Sequence, residues 1–222
     1  MKYLLVKGDK SEQRYYQYAF LLSILTIVYN LVEGLVSIYF GFQDETLTLF
    51  GFGVDSFIEV ISAIGITYMI FRIQRSPTSP RATFEVTALR ITGASFYLLT
   101  AGLLLTIILN LSQQHKPETT LWGIIIALTS IISMSLLIHF KVQIGEALDS
   151  EPILADANCT RACLYMSILV LVASLLYELT GLAFIDSLGA LGIAYFAFKE
   201  GRESFEKAQG KACSCSDDLC HN

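Results

Sequence analysis

Two pairs of potential metal ligands stand four residues apart within runs that are otherwise apolar. Asp55 and Glu59 fall in GFGVDSFIEVISAIG, and Cys159 and Cys163 fall in ADANCTRACLYMS. A spacing of four sets both members of a pair on one helix face. Ionisable groups inside apolar helices are expensive and mark functional sites. Two carboxylates on one face repel unless they are protonated, bridged by a cation or paired with a base. A structural reading competes in each case: a hydrogen-bonding pair holding helices together for the carboxylates, and small buried hydrophobes for the thiols. The matched i, i+4 spacing in two different helices favours a ligand set. Asp156 lies one turn before Cys159 on roughly the same side, and joins the candidates. Arg161 is about 200° from Cys159 at helical spacing. It faces away from the thiols and is expected to snorkel or to pair with a carboxylate such as Glu33.

The elements that must position these residues are long apolar helices. The chain is 54% hydrophobic, more than a soluble domain of 222 residues would carry. Its charges collect at segment ends and leave runs able to cross about 30 Å of hydrocarbon. Six spans are read, at roughly 18–42, 47–71, 88–111, 121–144, 154–177 and 181–199. The fold class is all-α, a polytopic membrane protein with six transmembrane helices. Residues 1–17 form an N-terminal segment, 18–205 the helical domain and 206–222 a Cys-rich tail. The stretch from Asp9 to Gln17 is polar, so the start is not a cleavable signal peptide. The bases Lys2, Lys7, Lys10 and Arg14, then Arg72, Arg75 and Arg81 with Arg90, then Lys141, and last Lys199, Arg202, Lys207 and Lys211 all fall on one side of six spans, against Lys116 on the other. By the positive-inside rule both termini are cytoplasmic, in the cell (inner) membrane. No nucleic-acid partner is expected; the lipid bilayer is the surrounding.

This topology makes the two ligand pairs compatible. The second span runs outward to inward and the fifth runs inward to outward. Side by side and antiparallel, Asp55 is expected to face Cys163, and Glu59 to face Cys159. Two oxygens and two sulfurs then converge near the midplane, a set that suits a tetrahedral divalent ion.

Four stretches resemble the cation diffusion facilitator family of metal/proton antiporters. NLVEG at Asn30 to Gly34 is similar to the family's first helix, and VDSFIEVIS at Val54 to Ser62 to its second. LADANCTRAC at Leu154 to Cys163 resembles the fifth-helix segment, and FIDSLGALGIA at Phe184 to Ala194 the start of the last, with Asp186 at the aspartate position. The resemblance implies a six-helix bundle, alternating access, inward movement of protons as metal moves out, and a homodimer. Small residues such as Gly189, Ala190 and Ala194 would allow close helix contact in such a dimer. Two departures stand out. Cys159 and Cys163 occupy positions where the family has His and Asp. Only 24 residues follow Phe198, which reads as a short form without the family's large cytoplasmic domain.

Thiolates soften the site, so the expected cargo is Zn²⁺, Cd²⁺ or another thiophilic divalent cation rather than Mn²⁺ or Mg²⁺. The tail KACSCSDDLCHN adds Cys213, Cys215, Cys220 and His221, a cluster suited to capturing such ions in a reducing compartment. The expected function is heavy-metal efflux by a transporter, not an enzyme. The first alternative is a non-transporting membrane metal sensor or partner protein. A membrane thiol–disulfide oxidoreductase ranks below it, because such an enzyme has no use for Asp55 and Glu59 and needs exposed reactive cysteines.

Overall fold

A computed structural model describes residues 10–44, 46–75, 83–113, 117–148, 151–182 and 184–209. These form six helices: α1 Lys10–Gln43, α2 Leu47–Arg75, α3 Thr83–Gln113, α4 Leu121–Ala147, α5 Glu151–Thr180 and α6 Phe184–Ala208. The Cys-rich tail from Cys213, the His115–Lys116 pair and the Pro77–Arg81 connection lie outside the described residues. The expected all-α bundle is what the chain forms. Five helices carry apolar stretches long enough to cross a membrane. In α6 the apolar run gives way at Lys199, yet its 25 residues span about 37 Å at 1.5 Å per residue, enough to cross.

Polarity is distributed inside out relative to a soluble bundle. Large apolar side chains point outward: Phe42 is 79% exposed, Leu179 81% and Leu98 75%. The interior holds Asn30, Glu33, Asp55, Lys141, Asp156 and Asp186, all buried. Lipid can take the outer face, but polar groups have to find partners within the protein. Many interior hydroxyls return to their own helix, as Ser56 does to the Phe52 carbonyl at 3.1 Å and Thr160 to the Asp156 carbonyl at 3.1 Å.

Three antiparallel pairs, α1 with α2, α4 with α5 and α3 with α6, make the bundle. The first two pairs close a four-helix ring through α1–α4 and α2–α5 contacts, and the α3–α6 pair leans on α2 and α5. Glycine sets the closest approach. A Cβ on Gly53 would stand 2.7 Å from the Ile38 nitrogen, and one on Gly34 would stand 2.9 Å from the Phe57 ring. Gly181, at φ 65°, makes the turn from α5 into α6.

The two ends of the bundle differ. At the turn end, where α1–α2, α3–α4 and α5–α6 connect, Asp186 accepts hydrogen bonds from the Leu47 and Thr48 amides at 2.8 and 3.1 Å and so caps α2. Glu178 accepts from the Thr120 amide at 2.6 Å and from the Thr119 hydroxyl at 2.9 Å, ahead of α4. The Glu118 amide donates to the Asp44 carbonyl at 3.1 Å. Gly189, Ala190 and Ala194, expected to support a dimer contact, are consumed within the chain: all three are buried, and Gly189 packs on Thr48 and Ala173.

Candidate intramembrane metal site

The centre of the site is where α1, α2 and α5 meet. Asp55 is 1% exposed, and its Oδ1 meets no hydrogen-bond partner among the described residues. One turn on, Glu59 accepts a hydrogen bond from Asn30 Nδ2 of α1 at 3.1 Å. The Cys163 thiol of α5 lies close enough for its electrostatics to couple to the same carboxylate. Cys163 is buried beside Met134 and Leu137, with Tyr29 and Leu22 packed on the same cluster. A carboxylate and a thiol from two helices therefore come near each other inside the bundle, with the buried Asp55 carboxylate one turn away.

The register differs from the side-by-side alignment expected from the topology. Glu59 acts on Cys163 more strongly than Asp55 does. Cys163 lies deeper along α5 from the turn end than Asp55 does along α2. Cys159, one turn further, is half-buried and has Lys207 Nζ of α6 at 3.8 Å from its sulfur. It lines a pocket of about 140 Å³ between α5 and α6, together with Asn158, Arg161, Glu200 and Glu203. Among the described residues, no three His, Cys, Asp or Glu side chains stand grouped as a ready cation cage.

Asp156, expected as an additional ligand, is instead ion-paired. Its Oδ2 is 2.9 Å from Lys141 Nζ, and Lys141 also donates to the Thr160 hydroxyl at 2.9 Å. Lys141, expected among the flanking bases, is instead 1% exposed. A buried lysine needs a counter-charge, and Asp156 supplies it. Arg161 does not reach Glu33: its Nη1 donates to Asn158 Oδ1 at 2.7 Å. Glu33 accepts from the Tyr29 hydroxyl at 3.0 Å and from Ser56 at 3.3 Å, facing α2 rather than α5.

Three polar residues near the site carry more than the sequence reading gave them. Asn30 sits in the NLVEG stretch at i, i+3 from Glu33, a spacing that puts both on one face of α1. Glu200 is close enough for its charge to act on both Asp55 and Glu59. Its signal was the i+4 ladder Phe196, Glu200, Ser204 on α6, which continues the helix past the apolar run. Lys141 had no signal beyond its place within the fourth apolar run.

At the turn end, outside the spans, burial holds the Asp44 carboxyl above its ordinary range and the neighbouring charge of Glu118 adds to the effect. The Asp44 side chain is 6% exposed, and its Oδ2 is without a partner among the described residues.

Comparison with known proteins agrees with this architecture. A sequence profile described as the cation efflux transmembrane domain matches residues 19–209. The chain is also 25% identical over 185 residues to an uncharacterized transporter of Methanocaldococcus jannaschii. That alignment covers 79% of this chain and 63% of the relative, so the chain spans less than two thirds of the relative's length.

Proposed function

Because the chain belongs to the cation efflux family, we propose that it carries a thiophilic divalent cation, Zn²⁺ or Cd²⁺, across the membrane in exchange for protons. The observation behind this reading is the meeting of Glu59 and Cys163 between α2 and α5, with buried Asp55 one turn away. Carboxylate and thiolate together favour borderline and soft ions over Mg²⁺ or Ca²⁺. Both ligand types have to be deprotonated to bind, so metal and protons compete for one site. Release toward a proton-rich side and reloading from a proton-poor side follow from that competition. Cys159 stands on the side of the α5–α6 pocket and meets the ion first, before Cys163. The tail residues Cys213, Cys215, Cys220 and His221 raise the local ion concentration at the cytoplasmic side, where both termini lie. The working assembly is a homodimer in the cell membrane, joined by faces other than the buried Gly189–Ala194 stripe.

The test is flux. The full chain in proteoliposomes is offered Zn²⁺, Cd²⁺, Mn²⁺ and Mg²⁺ under a pH gradient. Zn²⁺ and Cd²⁺ move, flux rises with the gradient, and Asp55→Ala or Glu59→Ala abolishes it at equal insertion. Wild-type flux in both variants overturns the site, and ion-independent silence of the wild type overturns transport.

A further inference from the structure

We infer that Asn30 of α1 is a ligand of the transported cation, giving a neutral oxygen through its side-chain carbonyl and setting the ion preference of the site. The inference rests on the site proposed above and adds a third helix to it.

Asn30 is 1% exposed. Its Nδ2 donates to Glu59 Oε2 at 3.1 Å, the orientation that the deprotonated, metal-binding form of Glu59 requires, since the opposite flip would turn oxygen toward a carboxylate. The Oδ1 of the same amide therefore sits at the rim of the Glu59 carboxylate. It meets no hydrogen-bond donor among the described residues. Asp55 Oδ1, on the same face of α2 as Glu59, is buried and without a donor as well. Buried acceptors are almost always satisfied, so the two orphaned oxygens of the residues flanking Glu59 are each open to a cation. A cation satisfies several acceptors at once and asks for no donor. The other hydroxyls nearby are committed: Tyr29 and Ser56 donate to Glu33.

The consequence is a change in the ligand set. Cys159 stands beside Lys207 and lines the α5–α6 pocket, while Asn30 stands beside Glu59. The inner set is then Asp55, Glu59, Cys163 and Asn30, three oxygen donors and one sulfur, which the ion itself has to draw together because no three acidic or thiol groups stand grouped without it among the described residues. An amide oxygen is harder than a thiolate and carries no charge. Such a site holds Zn²⁺ and Cd²⁺ on closer terms than a two-thiolate site would.

The experiment measures equilibrium binding of Zn²⁺, Cd²⁺ and Mn²⁺ to the full chain in nanodiscs, with Co²⁺ as an optical stand-in. Asn30→Leu is expected to weaken Zn²⁺ binding about tenfold or more. Asn30→Asp keeps Zn²⁺ binding and shifts the Mn²⁺ to Cd²⁺ ratio about tenfold toward Mn²⁺. Asn30→Cys adds one thiolate's worth of sulfur-to-Co²⁺ charge-transfer absorption, and Cys163→Ser removes one. A residue that only steadies Glu59 would behave differently: Asp and Leu would then be equally harmful, and Cys would add no charge-transfer band. That outcome overturns the inference, as does wild-type binding in all three Asn30 variants, which would leave a bridging water as the partner of the two oxygens. Asp55→Ala separates the two levels of argument. If it abolishes binding while the Asn30 variants are silent, only the inference fails; if it binds as wild type, the proposed site fails with it.

Discussion

The two ends of the bundle are held by different chemistry. At the turn end, Asp186 and Glu178 bind backbone amides and fix where α2 and α4 begin. At the other end, side chains meet side chains: Lys141 with Asp156, Lys207 with Cys159, Lys199 with Glu203 and Arg202 with Glu206. A cap on the backbone cannot exchange partners without the helix end fraying. Ion pairs between long side chains can exchange, and the Lys199–Glu203 pair of α6 lines the pocket beside Cys159. The contrast identifies the turn end as the more firmly fixed end of this structure.

Substitutions can break this contrast in graded steps. The largest effect is expected at the one pair of the second end that is fully buried among the described residues. Lys141→Ala leaves Asp156 charged and unpaired, and removing one partner of a buried pair costs about 3–5 kcal/mol. Thermal unfolding in detergent reads it, and the double variant Lys141→Met with Asp156→Leu should recover most of the loss. If the single variant unfolds like wild type, the buried pair contributes nothing and both ends are equally soft. Next comes Asp186→Ala at the fixed end, expected to cost about 1–2 kcal/mol as a lost helix cap, with Asn retaining part of it. An unchanged melting temperature would mean that α2 is held by packing alone.

The two thiols sharpen the comparison further. Cys163 couples to Glu59 and Cys159 faces the pocket, so Cys163→Ser should reduce Cd²⁺ flux about tenfold more than Cys159→Ser, a difference of about 1.4 kcal/mol. Equal losses would restore both sulfurs to one site. The smallest effect is expected at Asp44. Burial, with Glu118 adding to it, raises its carboxyl pKa above the ordinary 3.8, so the charged form weakens the fold. That penalty is full above the raised pKa and gone below the ordinary one. Asp44→Asn should therefore melt at or slightly above the wild type at pH 7, and the gap should close on acidification. A gap that widens as pH falls would reverse the sign.

The helices were legible because hydrocarbon thickness dictates their length and leaves charge only at segment ends. The carboxylate and thiol pairs were legible for the same reason: each breaks an apolar run at helical spacing. Pairing between helices was not. Whether Cys163 stands level with Asp55 or with Glu59 depends on how high each helix starts, and Asp186 sets that height for α2 from the far end of the sequence. Lys141 looked like a flanking base because a count of charges per side ignores which way a side chain turns. Asn30 lay in a stretch marked by family resemblance, yet only the unanswered Oδ1 gives it a task. The small residues of α6 matched a dimer face and an internal face equally well, and packing against α2 and α5 decided between them.

The Lys141–Asp156 pair also bears on how the chain enters a bilayer during synthesis. α4 emerges first and carries a base that insertion penalises by about 2.5–3.5 kcal/mol at a helix centre, and less toward its end. Until α5 follows, that ammonium has no partner and stays favoured at the lipid–water boundary. Once Asp156 arrives, the two charges cancel and both helices go in together. The α4–α5 hairpin, rather than the single helix, is then the natural unit of insertion, and the residues joining the two set how long the first has to wait for the second.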